Sequence, residues 1–359
     1  MKFSFISVVL KIMKQSDLIQ KSKLHKLFSP FYSGIGHILT FHRVCTENNY
    51  VLMKALQVTP EYLESVIKFF ISNNIEIVNL DECYRRINSK DKVKRFVVFT
   101  FDDGYVDNYT NALPVFEKYN APFTIFLTTG FPDHKIVLWW YLLENLINSN
   151  NKIEFKDDGD SFLYNTSTLE EKRIAFMKIR NYILESNHKN YYTRLNTIFK
   201  DENIDLFRLT RELALSWKQV IELDTHELVT IGAHTVNHMA LSRLNDDEVV
   251  EEISNSKKII ETKIKSPVQY LAYPIGTSME AGEREFNLAR MCNIKMAVTT
   301  EKGNIFKHHT NYLYSLPRIG INENLSIPNI DLYINGMTTF RDRVIEKFTS
   351  CKEKLFQMI

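Results

Sequence analysis

Two short stretches of the chain are apolar at nearly every position: Arg95-Phe-Val-Val-Phe-Thr-Phe101 and Pro122-Phe-Thr-Ile-Phe-Leu-Thr128. They are rich in aromatic and β-branched residues, which predicts strands buried on both faces, as parallel sheets require. Gly34-Ile-Gly-His-Ile-Leu-Thr-Phe41 reads as a turn followed by a strand, and shorter apolar runs predict strands over 75–80, 228–233, 268–273, 295–299 and 312–319. Helices are predicted between them. One starts at Pro60, where proline suits the first turn, and runs to about residue 73. Others cover 81–88, 108–119 and 284–292. Two more follow the capping pairs Ser216/Gln219 and Asn245/Glu248. Strands alternating with helices make an α/β fold with a mostly parallel sheet. About seven such strands, with no GxGxxG after the first, favour a distorted (β/α) barrel over a doubly wound dinucleotide-binding sheet.

The rhythm breaks between residues 133 and 211, a polar stretch rich in Lys, Asn and Tyr that reads as a mostly helical insertion in a barrel spanning 36–337. Residues 1–35 form a basic amphipathic segment, in which Phe5, Ile6, Val9, Leu10, Ile12 and Met13 alternate with lysines against a single acid, Asp17. Such a segment suits peripheral contact with an anionic membrane, or packing on its own domain as a solvated helix. Its apolar run over 3–10 is far shorter than a spanning helix, and no small-x-small cleavage site follows. The expected location is cytoplasmic, with that peripheral contact. Residues 338–359 read as a C-terminal helix.

Composition narrows the chemistry further. The formal charge of +2 leaves no basic excess that would ask for nucleic acid. Cys45, Cys83, Cys292 and Cys351 form no CxxC pair, which argues against a disulfide framework or a thiolate zinc site.

Thr100-Phe-Asp-Asp-Gly104 places two carboxylates at the end of a buried strand, where parallel α/β folds build their sites. Neighbouring strand residues point to opposite faces, so Asp102 and Asp103 serve one site only if the chain bends, as Gly104 permits. A plain polar Asp-Gly turn is the bland alternative. In Gly232-Ala-His-Thr-Val-Asn-His238, the i, i+4 spacing of His234 and His238 would put both rings on one face of a helical turn. Thr235 stands where the HExxH proteases carry their Glu. Asp103, His234 and His238 together make a three-ligand set with an open position for water, and Asp102 remains a free carboxylate beside it. That combination is machinery for hydrolysis.

These two motifs, with the later Ala272-Tyr-Pro-Ile-Gly276, resemble the signature motifs of the polysaccharide deacetylases (NodB homology domain, carbohydrate esterase family four). Lead-in segments match as well: Ile38-Leu-Thr-Phe-His-Arg-Val44 and Leu215-Ser-Trp-Lys218. The resemblance runs from about His37 to Gly336 and skips the insertion. It implies a distorted (β/α) barrel and metal-dependent removal of acetyl groups from an N-acetylated sugar, polysaccharide or glycolipid precursor. It further implies that Asp103, His234 and His238 hold a divalent metal, usually zinc, and that Asp102 is the general base. The oxyanion would be received by the metal and by the Ile275 backbone N–H. The family's late Leu-x-His motif is missing, since Leu316-Pro-Arg-Ile-Gly-Ile321 has no His and His308 and His309 lie upstream. The pattern is closest to the subgroup that places its acid on an N-terminal strand-end His, here His42. The Arg that usually precedes the third motif is also missing, so Arg318 or Arg43 is expected to supply the charge beside Asp102. Tyr273, Pro274, Trp139 and Trp140 are the expected groove residues, although a Trp pair at a helix start suits core equally well, and 56–59 reads as structural. Two other readings stay open at this point: a catalytically degenerate sugar-binding barrel, and another amide-cleaving metallohydrolase.

Overall fold

The computed structural model describes residues 29–46, 50–157, 159–200 and 204–337. Most of the basic segment expected over 1–35, and all of the C-terminal helix expected over 338–359, lie outside the described residues. Among the described residues no helix is long and apolar enough to cross a membrane.

Seven strands close into a barrel: β1 (Gly36–Phe41), β2 (Phe96–Phe101), β3 (Phe123–Leu127), β4 (Val229–Ala233), β5 (Tyr270–Ala272), β6 (Met296–Lys302) and β7 (Leu316–Gly320). Every pairing is parallel and follows chain order around the ring. Closure comes from β7 against β1, at Leu39↔Ile319 and Thr40↔Gly320. The ring is uneven. β1 and β2 stay in register over their full length, whereas β4 and β5 meet only at Leu271↔Ala233 and the β6–β7 register slips between Val298 and Lys302. The expected distorted (β/α) barrel of parallel strands is the observed fold.

Strand periodicity explains the two cores. Every residue of β1, β2 and β3 is buried, because a barrel with a helical jacket covers both faces. Ile38, Phe96 and Val98 share one cluster with Phe126, Ala272 and Leu316 inside the ring. Leu39, Phe41, Val97, Phe99 and Phe101 belong to the other cluster and face the helices. There Phe99 meets Phe70 and Phe116 edge-on at 6.0 and 5.4 Å. Each such ring contributes roughly 1.5–3 kcal/mol through burial. Inside the barrel the same two-residue period turns polar toward the strand ends, so that Thr40, Thr100, Asp102 and Arg318 are all buried there.

Three elements differ from expectation. The strand expected over 75–80 is only Glu76–Ile77, pairing with the first residues of β2 before β3 begins. The helix expected over 108–119 divides into a wide turn, Asn108–Ala112, and Leu113–Lys118, with Pro114 at the start of the latter. The insertion holds a β-hairpin, Lys152–Asp157 against Asp160–Asn165, between α1 (Trp139–Ser149) and α2 (Leu169–Leu184). Its signal was in the sequence: buried Ile153 and Phe155 alternate with exposed residues, and Gly159, with φ +86°, stands between the two strands. The polar composition of the stretch masked it. Both expected capping boxes form, Ser216 with Gln219 and Asn245 with Glu248, the latter opening α3 (Asp246–Ile264).

Candidate active site

At the end of β2 the chain makes the required bend. Asp103 has φ +75° and Gly104 φ +92°, and the Gly104 N–H donates to the Asp102 carbonyl at 3.0 Å. This is a γ-turn with a left-handed central residue, a rare and strained geometry costing about 1–3 kcal/mol. It turns two consecutive carboxylates toward one cavity. A side chain at position 104 would meet Leu127 Cδ1 at 2.4 Å.

Asp102 is clamped from β7, two strands away around the ring. Arg318 Nη1 donates to Oδ1 and Nη2 to Oδ2, each at 2.7 Å, while Nε donates to the Thr299 carbonyl at 2.8 Å. Arg318 is 0% exposed, so its charge is tolerable only because Asp102 pairs with it. Burial opposes ionisation of Asp102, but Arg318 and then His234 outweigh it and hold the carboxyl below its usual pKa. Of the two arginines offered by the sequence, the fold uses Arg318. Arg43 is committed elsewhere, to Asp107 at 2.8 Å.

The segment after β4 is a loop, not the helical turn that the His spacing suggested. Thr235 and His238 take left-handed φ of +64° and +53°, and these kinks, rather than helical periodicity, bring the two imidazoles together. The loop is pinned by Glu252 of α3, whose Oε2 accepts the N–H groups of Val236 and Asn237 at 2.9 and 2.8 Å. Sequence reasoning missed Glu252. Its signal was a carboxylate next to Ile253 on the buried face of an amphipathic helix.

His234 Nδ1 lies 2.7 Å from the Ala272 carbonyl, so Nδ1 carries the proton and Nε2 presents a lone pair. That Nε2 is 3.4 Å from Asp103 Oδ1, and His238 Nε2 is 3.2 Å from the same oxygen. Asp103 Oδ1 is buried without a hydrogen-bond partner, and the three donor atoms all lie within 4.8 Å of one another. Two imidazole nitrogens and an orphaned carboxylate oxygen facing one point fit a divalent cation of the zinc class.

A second γ-turn closes the far side. The Gly276 N–H donates to the Pro274 carbonyl at 2.6 Å around Ile275, whose φ is +62°. A β-branched residue is strained there. Thr300 holds the turn by donating its hydroxyl to the Ile275 carbonyl at 2.6 Å. The Ile275 N–H has no partner among the described residues. His42 follows β1, and burial lowers its pKa, opposed by Asp103 and Asp102.

His42, Asp102, Asp103, His234, His238 and Ile275 all line one cavity of about 300 Å³. Of the expected groove residues, Trp139 and Trp140 line it too, and the Trp140 ring sits 5.3 Å from His238. Tyr273 and Pro274 do not line it, which corrects the sequence reading. Tyr273 follows the inward-facing Ala272 and therefore points outward, donating its hydroxyl to the Tyr314 carbonyl at 3.0 Å. Leu56, expected to be structural, forms part of the wall, as do Phe176 and Arg180 of α2. Nothing in the spacing of α2 separated these from ordinary core residues. A larger cleft of about 610 Å³, beside Asn237, lies on the outside of the histidine loop. It gathers no comparable set, since the Glu252 carboxylate beneath it is committed to the loop.

Comparison with known proteins places the family and the fold. The family model described as polysaccharide deacetylase matches residues 89–156 and 166–296. YxkH of Bacillus subtilis (strain 168), whose name places it in the same family, is 22% identical over 301 residues, covering 84% of this chain and 76% of its own length. Among solved structures, the Streptococcus pyogenes deacetylase PplD in complex with acetate is similar in fold, with a TM-score of 0.52 at 19% identity, covering 83% of this chain and 97% of that one. IcaB from Ammonifex degensii has a TM-score of 0.53 at 14% identity, covering 85% and 98%. The matched residues contain the Asp102–Asp103 bend, the histidine loop and the strained Ile275 turn, and the chain belongs to the polysaccharide deacetylase family of sugar-deacetylating hydrolases.

Proposed function

We propose that this chain is a metal-dependent N-deacetylase of acetylated carbohydrate, with Asp103, His234 and His238 holding a divalent ion, zinc in the first instance. When bound, such an ion polarises a carbonyl and acidifies water. Asp102, kept anionic by Arg318, accepts the proton of the attacking water. Attack on the acetamide carbonyl develops negative charge on its oxygen, and the unpartnered Ile275 N–H donates to that charge. His42 delivers a proton to the departing amine, so acetate and a free amino sugar result. The lysine-rich segment over 1–35 supports a cytoplasmic, membrane-peripheral location. Salt-sensitive sedimentation of the full chain with anionic vesicles checks that contact.

The observation that carries the proposal is the orphaned Asp103 Oδ1 facing two imidazole nitrogens, beside a carboxylate that Arg318 keeps charged. It disfavours a degenerate, metal-free sugar-binding barrel, which has no use for either feature. The test is acetate release from a panel of N-acetylated sugars by zinc-loaded protein. The Asp102→Asn variant is expected to lose at least ~100-fold in rate, and full activity in it would remove Asp102 from the mechanism. His42→Ala with an unchanged rate would move the acid elsewhere.

A further inference from the structure

The proposed deacetylation leaves one cation in the cavity unused. Arg180, on α2, is half-buried and lines the same cavity as Asp103, His234 and Ile275. Among the described residues its side chain makes one hydrogen bond, from Nη1 to the side-chain oxygen of its neighbour Asn181 at 3.2 Å, and forms no ion pair. Three of the other four arginines of the insertion have acidic partners: Arg194 with Asp157 at 3.8 Å, Arg208 with Glu212 at 3.3 Å, and Arg211 with Asp205. The fourth, Arg173, has none among the described residues but is exposed to solvent, where a lone guanidinium stays hydrated. Burial pulls the pKa of Arg180 down, opposed by Glu280. That carboxylate is engaged by the Thr277 hydroxyl instead of pairing with the guanidinium.

The rest of the wall sharpens the point. Among the described residues Asp102 and Asp103 are the only acids lining the cavity, and Arg318 already neutralises the first. Met53, Leu56, Phe176, Met177 and Leu184 make the walls apolar, and among the described residues the lining holds one hydroxyl, that of Thr300, and no side-chain amide. Sugar hydroxyls both donate and accept hydrogen bonds, and this surface offers them little. An unpaired, partly desolvated guanidinium instead matches the planar, two-pronged geometry of a phosphate or carboxylate.

Resting on the deacetylase reading above, we propose that Arg180 selects an acetylated sugar that also carries an anionic substituent, phosphate or carboxylate. The anion docks on Arg180 while the acetamide faces Asp103, and the apolar walls cover the carbon faces of the sugar.

The test separates binding from turnover. Calorimetry on metal-stripped full-length protein compares glucosamine 1-phosphate and muramic acid with neutral glucosamine. In parallel, kcat/KM of zinc-loaded enzyme is measured for N-acetylglucosamine 1-phosphate and N-acetylmuramic acid relative to N-acetylglucosamine. Each is repeated in R180Q and R180K, with thermal melts to verify folding. At least one anionic ligand is expected to bind about tenfold or more tightly than the neutral sugar. That preference should collapse in R180Q and return in part in R180K. The arm that shows it, phosphate or carboxylate, identifies the substituent. Equal preference in wild type and R180Q, in both binding and turnover, overturns the proposal. If R180-dependent binding holds but no sugar is deacetylated, the anion site stands and the deacetylase reading fails.

Discussion

Replacing Arg318 with Met keeps much of the side chain's length and apolar stem but removes its charge. In the native barrel the guanidinium makes two 2.7 Å bonds to Asp102, one of 2.8 Å to the Thr299 carbonyl and one of 3.2 Å to Thr100 Oγ1. All of this is fully buried, with the two side chains 0% and 3% exposed. Water cannot take over, so R318M leaves a carboxylate that burial already penalises without its main counter-charge. Breaking one side of a buried pair costs about 3–5 kcal/mol. Much of that loss belongs to the stranded charge, so R318M/D102N should be more stable than R318M alone, with a coupling of at least ~1 kcal/mol. The assay is urea unfolding of metal-free protein followed by circular dichroism, at constant pH and ionic strength. A loss below about 1 kcal/mol in R318M, or strict additivity in the double variant, would refute the reasoning. R318K should fall between, keeping a charge but not the two-pronged contact.

Glu252→Ala strips acceptors from the Val236 and Asn237 N–H groups without touching a proposed ligand. Zinc affinity should fall about 10–100-fold, and unchanged affinity by competition titration would show that the loop holds its shape alone. Removing bound metal with a chelator should lower the melting temperature, while zinc at 100 times its Kd should restore about 2.7 kcal/mol; a melt indifferent to metal contradicts the ligand set. Buried His37 sits between Asn304 Oδ1 at 3.0 Å and Arg95 Nη2 at 3.1 Å. Burial foremost, then Arg95, lowers its pKa from 6.5 to about 3. The unfolded chain therefore binds the extra proton first. This contribution to stability is complete above pH 6.5 and is lost as pH falls toward 3, by at most ~5 kcal/mol. H37Q should flatten that slope in acid-unfolding curves, and an unchanged slope assigns it to other groups.

Much of the fold was legible because its signals are local. β2 and β3 announced themselves as unbroken apolar runs, and capping pairs marked the helix starts at Ser216 and Asn245. The insertion's hairpin was equally local, in a glycine flanked by alternating residues, and was obscured only by the polar composition around it. The paired carboxylates and the two histidines were visible as residue types at strand ends. Their convergence was not, because the i, i+4 spacing that suggested a helix is realised by two left-handed residues in a loop.

The sequence by itself determined which segments build the barrel strands, which residues could bear ligands, and that a bend was needed after Asp102. Only the tertiary structure decided that Arg318 rather than Arg43 meets Asp102, that Tyr273 turns outward while Trp140 lines the cavity, and that Arg180 of the insertion reaches the same cavity unpaired. The physical reason is one of range. Backbone propensity and strand parity act over a few residues, whereas a buried charge finds its partner only when the ring closes and excludes water from both.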